Sequence, residues 1–236
     1  MQHYWTVTLA ILPFLLEGFK ETFIVSFIGG IAGSILGAVI GIIRSQRIPV
    51  LMQVLGLYIH CLRGTPFLVQ LYVFYFVLPN TKLSWLQWDS QTAACVALAV
   101  YTSSYVAEIV RAAIEAVPRG QTEGATALGL KWWQRMRLVV LPQAFKLTLA
   151  PMSGVYVTII KSTAVLAVVG LSELTRQGEV AIMRFPRDIL FIYGLIAAIY
   201  FVYCYPILRL TRWMEKRSGQ PKAKATANTT LQPIEG

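Results

Sequence analysis

The chain has 236 residues, of which 56% are hydrophobic and 14% charged, with a mean hydropathy of +0.59 and a formal net charge of +10. Soluble domains carry about a quarter charged residues, so this composition excludes an ordinary soluble protein and favours one integral membrane domain without a second globular domain. The positive charge does not indicate nucleic-acid binding, because basic residues that flank membrane helices are expected for topology alone.

The apolar residues fall into five blocks of about 20 residues, the length that crosses a bilayer as a helix. We predict spans at about 21–43, 66–78 with an apolar lead-in from residue 49, 91–117, 147–170 and 189–210. The first twenty residues lack the basic stretch and the small-residue cleavage site of a signal peptide. The predicted fold is therefore all-α and integral to the membrane.

The first span carries a glycine at every fourth position, and these residues form one ridge on a helix. Such a ridge lets another helix approach closely, either within the chain, which we favour, or in a second subunit. The ridge consists of Gly29, Gly33, Gly37 and Gly41.

Ionisable side chains at membrane depth are costly and usually face a cavity or a partner. In the second span Arg63 lies beside a Gly and a Pro that break the helix and free backbone groups. In the third span Glu108 and Arg111 are three residues apart and can pair. Lys161 lies within the fourth span. Each of these charges also has a purely structural interpretation. Arg63 and Lys161 can be anchors that reach the lipid headgroups, and Glu108 with Arg111 can be a structural ion pair.

Together these residues predict a polar path through the bundle, and hence transport. The candidate path residues are Arg63, Thr65, Pro66, Gln70, Tyr105, Glu108, Arg111, Lys161, Ser162 and Thr163. By contrast, Glu173 is expected near the outer surface.

A polar insert separates the third and fourth spans. We predict one short amphipathic helix that ends at Gly129, which can take a positive φ. A second short helix follows with an apolar face that includes Trp132 and Met136, and Pro142 then starts the fourth span. The pattern leaves open a docking element or a helix that lies on the membrane surface.

Loop charge predicts the orientation. The links after spans one and three, with the tail, carry 14 basic residues. The opposite side carries five, which are Lys20, Lys82, Arg176, Arg184 and Arg187. The positive-inside rule then places the N-terminus outside and the insert and tail in the cytoplasm.

Three cysteines, Cys61, Cys95 and Cys204, lie in apolar blocks, and His3 and His60 are isolated. Widely spaced thiols of this kind are more often core residues than metal ligands or disulfides. We therefore expect no metal site and no catalytic site.

The insert resembles the EAA loop of ABC importer permeases, which reads Glu-Ala-Ala, three residues, Gly, nine residues, Ile, one residue, Leu-Pro. The chain has the same spacing, with Gly124 in place of the first Ala and Val139 in place of Ile. The resemblance implies that this loop, at about 118–142, couples to an ATPase. The implied coupling residues are Glu123, Ala125, Gly129, Lys131, Arg135, Leu141 and Pro142.

The resemblance extends to about residue 217 and narrows to the polar amino acid uptake branch of type I importers. Permeases of that branch have three short motifs. The first is Arg-Gly-Thr-Pro with a following Gln, and the second is Tyr followed by Ala-Glu-Ile and Arg. The third often reads Lys-Asp-Thr-Ser-Leu. The first two occur at 63–70 and 105–111, whereas 161–165 read Lys-Ser-Thr-Ala-Val. That form looks more like permeases for basic amino acids that pair as two different subunits.

The resemblance implies the five-transmembrane-helix type I ABC importer permease fold in a bacterial cytoplasmic (inner) membrane. We expect a permease domain over 1–217 and a disordered cytoplasmic tail over 218–236. The implied partners are a second permease subunit, identical or different, two ATPase subunits and an extracytoplasmic amino-acid-binding protein. No Walker A pattern occurs in the chain, so ATP and Mg would be bound by the ATPase. The alternative is a secondary amino acid transporter driven by an ion gradient, which often has an internal repeat; five spans do not divide into equal halves.

Overall fold

The computed structural model describes residues 2–81 and 83–217, so Lys82 and the predicted tail at 218–236 lie outside the described residues. Within these ranges every regular element is helical. The α-helices are α1 Gln2–Ser45, α2 Pro49–Gly64, α3 Phe67–Tyr72, α4 Ser90–Glu115, α5 Arg119–Ala127, α6 Trp132–Arg135, α7 Leu141–Ser162, α8 Leu174–Arg184 and α9 Ile189–Arg217. They are linked by π-helical turns at Val73–Val77 and Met136–Val140 and by 3-10 turns at Leu78–Thr81, Ser84–Leu86, Thr163–Val169 and Pro186–Asp188.

Four helical runs of the described residues are long and apolar enough to cross a membrane, and a fifth span results if the bent α2–α3 pair counts as one. The all-helical membrane fold is therefore confirmed. The helix that contains the predicted first span begins earlier than that span, because α1 is continuous from Gln2. Glu17 and Lys20 interrupt the apolar sequence but lie on the exposed side of α1, while Ile11 and Leu15 are buried on the other side.

The second span is broken where the sequence predicts it. The axes of α2 and of the helical run Phe67–Thr81, which begins with α3, differ by 108°. Thr65, directly before Pro66, is extended at φ −116° and ψ 144°, as the proline ring requires of the preceding residue. The Nε2 amide of Gln70 donates to the carbonyl oxygens of Leu62 at 2.7 Å and of Thr65 at 3.1 Å. The side chain of Gln70 thus satisfies backbone groups that the break frees.

The glycine ridge of α1 packs against α4 of the same chain, as favoured from the sequence. A Cβ atom at Gly33 would lie 2.5 Å from the carbonyl oxygen of Ala99 and 2.5 Å from Cβ of Thr102. Each glycine of the ridge contacts the residue 69 positions later in the sequence, so α1 and α4 run parallel in a constant register. The matched pairs are Gly29 with Leu98, Gly33 with Thr102, Gly37 with Val106 and Gly41 with Val110.

The N-terminal half of α1 packs against α8 and α9, where Leu15, Leu174 and Ile192 form part of a buried core. Ring contacts between α1 and α9 advance in the same direction along both helices, from Tyr4 with Phe191 to Phe19 with Tyr203. Helices α1, α4 and α9 therefore run parallel, and their C-terminal ends lie at one end of the bundle. We call this end the Arg44 end.

Glu173, which the sequence predicts near the outer surface of the membrane, does not face solvent. Its side chain is fully buried and caps the N-terminus of α8, where it accepts from the backbone N–H groups of Thr175 and Arg176, each at 2.8 Å. The Tyr200 hydroxyl donates to it at 3.3 Å. A carboxylate at a helix N-terminus satisfies orphan donors, and here it also joins α8 to α9.

Candidate functional site

The insert begins with α5, whose C-terminal end is closed by Gly129. Gly129 has φ 76°, and its N–H donates to the carbonyl of Thr126 at 2.9 Å while the Leu130 N–H donates to that of Ala125 at 3.1 Å. This pair of bonds is a Schellman motif, which requires the left-handed conformation that glycine adopts without strain. The predicted glycine corner is confirmed.

The second short helix of the insert is not separate from the fourth span, and in this respect the prediction was wrong. Helix α6, the π-helical turn at Met136–Val140 and α7 form one helical run into the membrane segment. Pro142 lacks an N–H and its ring crowds the preceding turn, and the π-helical turn just before it widens the helix there. Met136 and Val140 pack against the end of α4 at Ala113 and Val117, so the insert and α4 share one core.

Two polar contacts fix the insert further. Trp132 Nε1 donates to Gln46 Oε1 at 2.8 Å, which ties the insert to the end of α1. Arg135 donates to the Thr126 hydroxyl at 2.7 Å across the glycine corner. Glu123 is exposed, and Leu128 at the tip of α5 is 82% exposed, so a carboxylate and an apolar side chain are both presented to the outside.

A charge cluster joins α1 to α4 at the Arg44 end. Arg44, which the sequence suggested only as a topology signal, donates to Glu108 Oε2 at 2.6 Å. The Arg111 guanidinium donates hydrogen bonds to Glu108 and, at 2.6 Å, to Glu115 Oε2. The Arg47 guanidinium lies 3.7 Å from Glu115 Oε1. The structural ion pair of Glu108 with Arg111 is therefore present, but it belongs to a network of five charges that crosses two helices.

A cavity of about 510 Å³ opens beside this cluster, and Arg63, Tyr105 and Glu108 all line it. Arg63 is exposed, and its guanidinium carbon lies 5.2 Å from the centre of the Tyr105 ring, within cation–π range. Among the described residues no carboxylate pairs with Arg63, whereas Glu108 is held by two arginines. The cavity therefore offers an available cation, an aromatic face and a neutralised carboxylate.

A smaller cavity of about 240 Å³ adjoins the first, and the two share Tyr105 and Pro151. Tyr101 and Thr158 also line the smaller cavity. Lys161 is exposed one turn beyond Thr158, on the same face of α7. Thr158 and Lys161 lie along α7, and Tyr101 and Tyr105 lie along α4. Tyr101 and Thr158 were missed because both lie outside the motifs at 63–70, 105–111 and 161–165.

Three other predicted path residues donate their side-chain hydroxyls to backbone carbonyl oxygens of their own helical turns. Thr65 donates to Cys61 at 2.8 Å, Ser162 to Thr158 at 2.9 Å and Thr163 to Ile160 at 2.7 Å. Gln70 lies in the helix break, and its Oε1 is buried without a hydrogen-bond partner in the described part of the chain. Arg63, Tyr105 and Glu108 are thus brought together, and their direct role in transport stays a prediction.

The described residues contain no group of three or more His, Cys, Asp or Glu side chains that could hold a metal ion. Residues 33–220 match the family model described as binding-protein-dependent transport system inner membrane component. The match covers most of the chain, from the glycine ridge through α9.

Curated relatives extend the similarity. The chain is 34% identical over 217 residues to the glutamine transport system permease protein GlnP of Escherichia coli (strain K12), covering 92% of this chain and 98% of the relative. It is 33% identical over 205 residues to the probable amino-acid ABC transporter permease protein YckA of Bacillus subtilis (strain 168), covering 86% and 89%. The arginine transport system permease protein ArtQ of Bacillus subtilis (strain 168) is 35% identical over 173 residues, covering 73% of this chain and 78% of the relative.

Two solved structures have a similar fold. An amino acid ABC transporter crystallised with histidines has a TM-score of 0.78 and 34% identity, covering 89% of this chain and 96% of the other. The MetNI methionine ABC transporter in an inward-facing conformation has a TM-score of 0.71 at 20% identity, covering 87% and 98%, which supports the fold alone.

Proposed function

Because the chain belongs to the family of binding-protein-dependent transport system inner membrane components, and its relatives are amino-acid ABC transporter permeases, we propose that it forms the membrane path of an ATP-driven importer for a polar amino acid. Basic amino acids are the first candidates, from the resemblance at 161–165. The observation that carries the proposal is the cavity that joins Arg63, Tyr105 and Glu108.

The unpaired cation in this cavity suits the α-carboxylate group that every amino acid carries. A guanidinium binds a carboxylate through two parallel hydrogen bonds, and we assign this role to Arg63. The Tyr105 ring holds this guanidinium beside the cavity, at 5.2 Å from the ring centre. Glu108 already neutralises Arg44 and Arg111, so its role in our proposal is to hold the cavity wall. Recognition of a basic side chain then falls to polar groups of the adjoining cavity, such as Tyr101 and Thr158.

The insert is the proposed contact with the ATPase. Its exposed Glu123 would pair with a basic group of the partner, and the exposed Leu128 would enter an apolar groove. Displacement of the insert would reach α4 through Met136 and Val140 and α1 through the bond of Trp132 with Gln46. A second state of the bundle that ATP binding favours is required for coupling of this kind.

The proposed assembly contains a second permease subunit, two ATPase subunits and an extracytoplasmic amino-acid-binding protein. ATP and Mg are assigned to the ATPase, and no catalytic site is assigned to this chain. We propose the bacterial cytoplasmic membrane as its location, with the Arg44 end in the cytoplasm.

Affinity purification in mild detergent, followed by reconstitution into proteoliposomes, tests the proposal. We expect an ATPase subunit to be recovered with the chain, and uptake of radiolabelled arginine, histidine or glutamine to require ATP and a binding protein. Uptake by the chain alone, driven by an ion gradient without ATP, would instead establish a secondary transporter. Within the importer, R63Q should reduce uptake, whereas R176Q, at an exposed arginine far from the cavity, should not.

A further inference from the structure

The exposed face of α9 changes character along the helix. Phe201 and Val202 are 65% and 68% exposed, and they lie in the apolar part of the span. The last nine residues of α9 then carry four basic side chains, all exposed, which are Arg209, Arg212, Lys216 and Arg217. We call Arg209, Arg212, Trp213 and Lys216 the basic stripe, because their spacing of three and four places them on one face of the helix.

The cations of the basic stripe have no acidic partner among the described residues. Arg209 donates to the Tyr205 hydroxyl at 3.2 Å, and Arg217 lies over the ring of Trp213 at 4.1 Å. Glu215 is the one acid in these nine residues, and it is half-buried on the flank of the stripe. The C-terminal end of α9 therefore presents a positive surface with an aromatic residue at its centre, as membrane-interface segments do.

An apolar groove lies between α1 and α9 and leads towards the basic stripe. Its volume is about 580 Å³, and Leu12, Ala198, Val202 and Pro206 are among the residues that line it. The Tyr203 hydroxyl, one of the few polar groups at the groove, is already hydrogen-bonded to Ser26 at 3.0 Å. A groove of this composition within a membrane span suits a hydrocarbon chain.

The groove and the stripe are correctly spaced for one lipid molecule. Half of the hydrocarbon core is about 15 Å, or about ten helical residues. Ten residues before Arg209 is Ile199, which also lines the groove. Ala198, Val202, Tyr205 and Arg209 follow one another at spacings of four, three and four, so the groove opens on the side of α9 that bears the stripe.

We propose that α1 and α9 bind one anionic phospholipid from the leaflet at the Arg44 end, with its phosphate on the basic stripe and one acyl chain in the groove. The excess of cations favours an anionic headgroup over a zwitterionic one. An acidic protein surface could neutralise the stripe but would leave the groove unfilled. The proposal goes beyond the transport function and does not depend on the substrate.

The test uses the full chain in lipid nanodiscs made of phosphatidylcholine alone or with one quarter phosphatidylglycerol. After transfer to detergent, native mass spectrometry counts the phosphatidylglycerol molecules that remain bound. We expect one retained molecule per wild-type chain. The variant R209Q/R212Q/K216Q should bind phosphatidylglycerol more weakly, by roughly fivefold per removed cation.

A matched variant, R176Q/R184Q/R187Q, removes three exposed cations from α8 and the 3-10 turn after it, away from the basic stripe, and should keep the wild-type affinity. A198W fills the groove while leaving every charge, and it should also lose the bound lipid; unchanged elution in size-exclusion chromatography shows that it folds. Equal phosphatidylglycerol retention in both triple variants overturns the proposal. So does displacement of the lipid by millimolar inorganic phosphate, which indicates a free-anion site, or loss of a bound ATPase instead of lipid when the stripe is neutralised.

Discussion

The Glu108 carboxylate accepts hydrogen bonds from two arginines on two different helices, Arg44 on α1 and Arg111 on α4. Arg44 is nearly buried, with 11% of its side chain exposed, and its Nε atom has no hydrogen-bond partner in the described residues. The carboxylate is therefore needed to compensate a guanidinium that water barely reaches.

Charge reversal by Glu108→Lys should lower uptake by about tenfold or more, because it places a third cation between Arg44 and Arg111. Loss of one member of a partly buried pair costs about 1–3 kcal/mol. Glu179→Lys is the matched control, since Glu179 pairs with Arg176 at 3.1 Å on an exposed surface. Uptake should be measured per molecule in the membrane, and equal uptake by both variants would remove Glu108 from the transport mechanism.

Glu173, by contrast, is fully buried, and its titration gives a pH prediction. Burial raises the pKa of Glu173 above its ordinary value of 4.5, although hydrogen bonds from Thr175, Arg176 and Tyr200 act in the opposite direction. A carboxyl whose folded-state pKa is raised adds stability that is full below the ordinary value and is lost as the pH rises through the folded-state pKa.

Thermal unfolding in detergent, followed from about pH 4.5 to about pH 8, checks this sign. The wild-type melting temperature should fall with rising pH relative to that of Glu173→Gln, because glutamine keeps the acceptor at the cap of α8 without a charge. Glu173→Lys should be less stable than both at every pH. Parallel curves for the wild type and Glu173→Gln would show that Glu173 does not titrate in this range.

Among the elements, α5 depends on a single backbone conformation at its end. Gly129→Val should strain the Schellman motif by about 1–2 kcal/mol and change the angle between α5 and α6. We expect ATP hydrolysis to continue while uptake falls, which a paired measurement of phosphate release and transport would detect.

Gly124→Ala is the control, because Gly124 lies within α5 with open space around it. It restores the residue that EAA loops prefer and should strengthen α5 by about 1 kcal/mol without loss of coupling. Normal uptake by Gly129→Val would contradict the role of the corner.

The contact of α1 with α4 makes a similarly sharp prediction. Gly33→Ala should destabilise the bundle, because the new methyl group would lie 2.5 Å from a carbonyl oxygen. Gly30→Ala, one turn away on the same helix, meets nothing within 4 Å and should be neutral or slightly stabilising, since alanine favours a helix. Melting temperatures in detergent should therefore separate the two variants, and equal values would contradict the tight packing.

The elements also show which features a single sequence can predict. The glycine ridge, the break at Pro66 and the corner at Gly129 were predictable because each follows from local chemistry. The continuity of α6 with α7 and the burial of Glu173 were not, because both depend on tertiary surroundings that replace a local signal. For the same reason Arg44 could not be distinguished from an ordinary topology signal before its contact with Glu108, 64 positions away, was known.

For the whole molecule, the parallel course of α1, α4 and α9 places the predicted cytoplasmic charges at one end, but the side of the membrane stays a prediction. In a cysteine-free background, a membrane-impermeant thiol reagent applied to intact cells should label Gln2→Cys and leave Lys216→Cys unlabelled. Permeabilisation should expose the second site, which controls for reactivity. The reverse labelling pattern would invert the orientation and place the insert outside the cell.

The register of α1 on α4 also has a consequence for synthesis. The glycines of α1 leave the ribosome 69 residues before the side chains that cover them. At about 5–20 residues per second, the ridge stays uncovered for roughly 3–14 s, a period in which the nascent helix can meet the glycine ridge of another newly made chain. The order in which the segments enter the membrane is thus part of what directs the ridge to its own α4, and slower translation between residues 41 and 98 would lengthen the interval in which it can pair wrongly.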